Sequence, residues 1–195
     1  MIDEGYIKFN ANWEETAAFE DTLLTDLIAV RQLVYRQGFI GVYPDGIGFG
    51  NISMRLKTWE EFYISGSKTG AITTMDSRHI AKVTEVQAHN NCLSCIGPVI
   101  ASSESMTHAS VYRANPTIGA VIHIHSKVLW DRHKFKLPTT SADTPYGTVE
   151  MAAEVFDLVC KTGEQGILVM AGHEEGLIIY GKDLYTTYEL LQTIV

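Results

Sequence analysis

The sequence predicts an α/β fold, in which helices with apolar stripes alternate with short apolar strands. Three observations carry that reading. Residues 19–37 repeat apolar side chains at helical spacing, with Leu23, Leu24, Leu27, Val30, Leu33 and Val34 on one stripe and Gly38 as the stop. The run from Ala120 to His125 is apolar and rich in β-branched residues, as a buried strand is. Residues 167–181 read as two apolar strands around a tight turn.

The other elements follow in chain order. Residues 1–17 are expected to be an irregular lead-in to one domain spanning 1–195, a length that suits one sizeable core. Strands are expected at 49–56 and 61–65, and a strand pair at 81–99. Ser102 or Ser103 is expected to cap a helix carrying Met106, Ala109, Val111 and Tyr112, with Glu104 in its first turn. A short helix is expected at 127–133 and a longer one at 149–162. Residues 183–195 close the chain as a helix.

Composition narrows the function. The formal net charge is −8 with no basic run, which argues against a nucleic-acid partner. No apolar stretch reaches the length of a membrane span and no signal-peptide pattern opens the chain, so the expected location is the cytoplasm. The three cysteines, Cys92, Cys95 and Cys160, read as reduced thiols. Cys92 and Cys95 have the spacing of half a zinc ribbon, but no second pair completes it.

The chemistry concentrates around histidines. Side chains alternate across a strand, so His123 and His125 share one face while Ile122 and Ile124 take the other. Two imidazoles on one face make half of a metal site; the alternative is two separately hydrogen-bonded core histidines. His173 sits at the tip of the turn between the last two strands. Three histidines with the carboxylate of Glu104 complete a shell for zinc or a similar divalent ion. Glu104 is the carboxylate placed to move a proton there, as a general base or as a fourth ligand before substrate arrives. Gly50 and Asn51 place flexible backbone where a ligand could come close, the loop from Ser65 to Gly70 leaves a strand, and Ser102 and Ser103 stand at a helix N-terminus. His108, four residues after Glu104, is read as a capping or packing histidine, and Tyr146 as a packing or site-lining residue.

These segments resemble the class II aldolase/adducin family. The resemblance runs in order through Gly50-Asn51-Ile52-Ser53, Phe62 to Ser67, Ser102-Ser103-Glu104 with His108, His123-Ile124-His125, Pro145-Tyr146-Gly147-Thr148, and His173 to Gly181. It implies a single three-layer α/β/α domain around a mostly antiparallel central sheet. It implies a homo-oligomer, usually a tetramer, with sites between neighbours. It further implies that Gly50, Asn51, Ser65, Gly66, Ser102 and Ser103 hold a substrate phosphate, while His123, His125 and His173 hold zinc, with manganese, cobalt or iron as alternatives. The implied activity is retro-aldol cleavage of a small sugar phosphate or polyhydroxy carbonyl compound through a metal-stabilised enediolate. Epimerisation or dehydration on the same site is the alternative, and a non-catalytic scaffold of the adducin type is a third reading. The chain departs from the family pattern at Lys68, which intervenes between Ser67 and Thr69-Gly70, and in a short stretch between Ser126 and Pro145.

Overall fold

Alternating apolar residues pair into an eight-stranded sheet in a computed structural model that describes residues 6–195. The strands are β1 (Asn10–Glu15), β4 (Asn51–Arg55), β5 (Phe62–Ser65), β6 (Ile80–Gln87), β7 (Cys92–Gly97), β8 (Ala120–His125), β9 (Gly166–Val169) and β10 (Gly176–Gly181). They lie in the order β1-β7-β6-β5-β4-β8-β10-β9. All neighbours are antiparallel except β1 and β7, so the sheet is mostly antiparallel. Two further short strands, β2 (Gly41–Val42) and β3 (Gly48–Phe49), form a separate hairpin.

Helices cover both faces. On one, α2 (Ser105–Ala114) and α4 (Val149–Thr162) bury Met106, Val111, Met151 and Val155 against Phe62, Val121 and Ile178. On the other, α1 (Thr25–Arg36), α3 (Lys127–His133) and α5 (Leu184–Gln192) bury Leu27, Val34, Trp130 and Leu191 against Ile52, Ile122 and Ile124. Strand β8 lies inside the sheet between β4 and β10 and is buried along its whole length. Ile122 and Ile124 face the α1 side while Val121 faces the α2 side, so the pleat turns His123 and His125 toward the α2 side as expected. Among the described residues, no helix is long and apolar enough to cross a membrane.

Four expectations about local structure are corrected. The lead-in contains β1, a mostly exposed edge strand without apolar alternation; its order comes from backbone pairing with β7 and from Trp13 Nε1 donating to Gly97 O at 3.0 Å. Residues 1–5 of that lead-in lie outside the described residues. The first helix begins only at Thr25, after a 3₁₀ turn at Asp21–Leu23 that leaves Leu23 exposed. The strand expected at 49–56 is broken at Gly50, whose φ of +71° turns the chain from β3 into β4. Glu104 is itself the N-cap of α2, and Ser102 instead accepts from the Glu104 and Ser105 amides in the tight turn before it.

Beneath α2 a buried polar group gives the fold an acid-sensitive point. His108 is fully buried, and its Nδ1 lies 2.6 Å from Ser53 Oγ, which also meets the Tyr112 hydroxyl at 2.6 Å. This supports its reading as a packing histidine. Burial pushes its pKa down from 6.5 to about 3. The folded protein therefore keeps His108 neutral while the unfolded chain takes up a proton, so its contribution is intact above pH 6.5 and is lost as pH falls toward 3. His123 is depressed in the same direction, first by burial and then by the neighbouring His125 and His173. Urea unfolding of metal-free protein is expected to show His108→Gln gaining about 2–3 kcal/mol on the native sequence between about pH 7 and about pH 4.5. A gap between the two proteins that does not move with pH would contradict it.

Candidate metal centre and active-site cleft

Three segments distant in sequence meet at the α2-side face of β8. Strand β8 supplies His123 and His125, the turn between β9 and β10 supplies His173, and the start of α2 supplies Glu104. One potential ligand atom from each histidine lies within 4.8 Å of the others. The His173 and Glu104 side chains approach to 3.7 Å between Nδ1 and Oε1. All four residues are buried. His173 is aimed by its turn, in which its amide bonds Met170 O and its carbonyl accepts from Gly176. A Cβ at Gly176 would come within 3.2 Å of both the His123 and His173 rings, so the turn packs tightly against the cluster at that glycine.

The ring hydrogen bonds show what this cluster suits. His123 Nδ1 lies 3.0 Å from Leu177 O, and a carbonyl only accepts, so that nitrogen carries the proton. His125 Nδ1 lies 2.9 Å from the Tyr43 hydroxyl, which donates its own proton to Glu175 Oε2 at 2.7 Å; His125 Nδ1 therefore donates too. In neutral rings both Nε2 atoms are then bare, and they face each other at 3.0 Å. Opposed lone pairs call for a cation between or beside them. Burial disfavours a proton there, since it holds His123 well below the usual histidine pKa. Three imidazoles beside a carboxylate are the donor set of a divalent transition metal, so the residues fit the expected ion.

A cleft of about 540 Å³ opens onto the cluster, with Glu104, His123 and His173 in its wall. Of the residues expected to hold phosphate, Gly50, Asn51, Gly66, Ser102 and Ser103 line the same cleft. Ser65 does not: its hydroxyl accepts from the Ile52 amide at 3.2 Å and ties β5 to β4, because it lies inside the sheet rather than in the loop that leaves it. The loop beyond it does reach the cleft through Ser67, Lys68, Thr69 and Gly70, with Lys68 at a φ of +62°. A Cβ at Gly70 would strike Gly41 O, so this loop packs directly on the β2–β3 hairpin.

Sequence reasoning missed several contributors. Arg31, wholly buried, donates to Ile72 O at 2.5 Å, Thr69 O at 3.0 Å and Gly70 O at 3.4 Å, so it clamps the cleft loop from behind. Burial lowers its pKa to about 10, and among the described residues no carboxylate hydrogen-bonds it, so its positive charge lies beneath the loop. The signal was visible, since Arg31 falls on the same stripe as Leu27, Val30 and Val34. The lead-in contributes Tyr6 and Ile7 to the cleft. Lys8 places its ammonium 4.0 Å from the centre of the Tyr146 ring, which stacks on His173 at 4.5 Å. Tyr146 thus lines and braces the site as read from sequence. Cys92 and Cys95 are free thiols, and three residues apart on β7 they point to opposite faces.

Comparison with known proteins gives the family and the fold. Residues 25–195 match the family described as Class II Aldolase and Adducin N-terminal domain. Among solved structures, L-fuculose 1-phosphate aldolase superposes with a TM-score of 0.65 at 18% identity, over 90% of this chain and 82% of that one. YgbL from Escherichia coli, a candidate aldolase/epimerase/decarboxylase, superposes with a TM-score of 0.64 at 17% identity, over 89% and 86% of the two chains. An aldolase II superfamily protein from Pseudomonas syringae gives 0.60 at 15% identity, over 88% and 70%. At these identities the likeness is one of fold.

Proposed function

We propose, from the premise that the chain belongs to the class II aldolase and adducin family, that it is a metal-dependent lyase acting on a small sugar phosphate or polyhydroxy carbonyl compound. The observation that carries the reading is the convergence of His123, His125 and His173 beside Glu104, with Glu104, His123 and His173 in the cleft wall. The three histidines would hold the ion, most simply zinc. A divalent ion bound there supplies Lewis-acid polarisation of a substrate carbonyl and its neighbouring hydroxyl oxygens.

The chain's own residues supply the rest. Glu104 is a buried carboxylate at the cleft wall, where it takes a proton from the reacting centre and gives it back. Gly50, Asn51, Gly66, Ser102 and Ser103 orient the phosphate through amides and short polar side chains. Arg31 and Lys68 make the loop side of the cleft positive, which suits an anionic group. Tyr6, Ile7 and Tyr146 narrow the opening and limit water.

The reading also takes the protein to be a cytoplasmic homotetramer of carbohydrate metabolism, built from one domain. The family resemblance supports the assembly, and light scattering tests it. A screen of short sugar phosphates against metal-loaded protein, with products identified by mass, tests the chemistry. A lyase yields two shorter carbonyl compounds. An isomer of equal mass, or a product lighter by one water, would transfer the same site to an epimerase or a dehydratase. Protein that neither holds metal nor turns over any sugar phosphate would support the scaffold reading and overturn this one.

A further inference from the structure

The far side of His125 from the cleft carries a relay that metal binding alone does not explain. The Tyr43 hydroxyl bridges His125 Nδ1 at 2.9 Å and Glu175 Oε2 at 2.7 Å. Tyr43 comes from the loop between β2 and β3, and its ring packs on Phe49 at 4.5 Å and edge-on to His125 at 6.2 Å. Glu175 stands between His173 and Gly176 with a φ of +69°, a backbone region L side chains seldom occupy. Glycine or asparagine would take that conformation at less cost, so it is the carboxylate that the position uses. The Glu175 carbonyl is also held, accepting from the Ser126 amide at 2.9 Å.

We propose that Tyr43 and Glu175 are positioning residues that lock His125 with Nδ1 protonated and Nε2 bare toward His123 and His173. The proposal rests on the metal reading above and deepens it. Glu175 takes the only hydroxyl proton of Tyr43, which leaves the phenol oxygen able only to accept from His125. Ring orientation and tautomer are thereby set from outside the cluster before any ion arrives. Groups that hold the second nitrogen of a ligating histidine are worth about 10–100-fold in metal affinity. Neither residue is among those lining the cleft, and both reach the cluster through His125.

Two measurements test this together. Long-range ¹H–¹⁵N spectra of metal-free protein should show the His125 ring as the Nδ1–H tautomer, and Tyr43→Phe should move population to Nε2–H. Phenylalanine keeps the packing on Phe49 and removes only the hydroxyl. Cobalt(II) titration by calorimetry should show Tyr43→Phe weaker by about 10–100-fold, with Glu175→Gln weaker in the same direction. The double variant should be no worse than the weaker single, because the two act as one unit. A His125 ring already in the Nε2–H form in the native sequence, or cobalt affinity in both variants within about twofold of native, would overturn the relay. Native protein that binds no cobalt would instead defeat the metal reading, and the tautomer spectra would still decide the relay. Glu175→Gln carries the test should Tyr43→Phe fold poorly.

Discussion

Replacing His123 with alanine is expected to reduce bound metal from about one ion per chain to little or none, because two neutral ligands and a carboxylate leave the shell incomplete. His123 is one of the three histidines proposed to hold the ion. It lies on the innermost part of the sheet, 3.0 Å from His125 between Nε2 atoms and 5.1 Å from His173 between ring centres. Its loss also leaves a space in a fully buried strand, so the variant will lose stability as well as metal. His173→Ala separates the two effects. His173 lies in a turn outside the strands, and its removal takes away a ligand with less harm to the sheet. Metal analysis after gel filtration should find both variants depleted, and His173→Ala should retain the native circular dichroism spectrum. Stoichiometric metal in a protein carrying both His123→Ala and His125→Ala would sink the assignment.

Glu104→Gln is expected to keep the fold and much of the metal while losing about 10²–10⁴-fold in turnover, the usual contribution of a positioned acid or base. Glutamine preserves shape at the N-cap of α2 but takes no proton at neutral pH. The position makes the distinction readable. Glu104 makes no side-chain cap bond to α2, so little helix stability depends on it. Were it chiefly a ligand, the same change would weaken metal affinity first, and added metal would restore turnover. Were it only a charge near the helix dipole, the cost would be a stability change of about 0.3–1 kcal/mol. Turnover and metal titration on the same sample discriminate these. Full activity of Glu104→Gln at saturating metal would remove Glu104 from the mechanism.

The sequence by itself determined whatever depends on period and on short-range backbone chemistry. The alternation of a strand is enough to put His123 and His125 on one face, and the β9–β10 turn is enough to put His173 at a tip. The helices at Lys127–His133 and Val149–Thr162 were legible because their caps and stripes are local. Tertiary structure decided the rest. Strand β1 is order borrowed from β7 across some eighty residues, and no alternation in Asn10–Glu15 announces it. Ser65 turned out to serve the sheet because its hydroxyl meets Ile52, a partner set by strand register. The hydroxyl of Tyr43 and the carboxylate of Glu175 acquire a role only because two turns 132 residues apart close on the same imidazole. Arg31 gave a sign in its place on an apolar stripe, but what it holds is the carbonyl edge of a loop about forty residues away. Side-chain period is a property of neighbours along the chain, whereas hydrogen-bond partners in a site are a property of neighbours in space, which pairing of distant strands alone brings together.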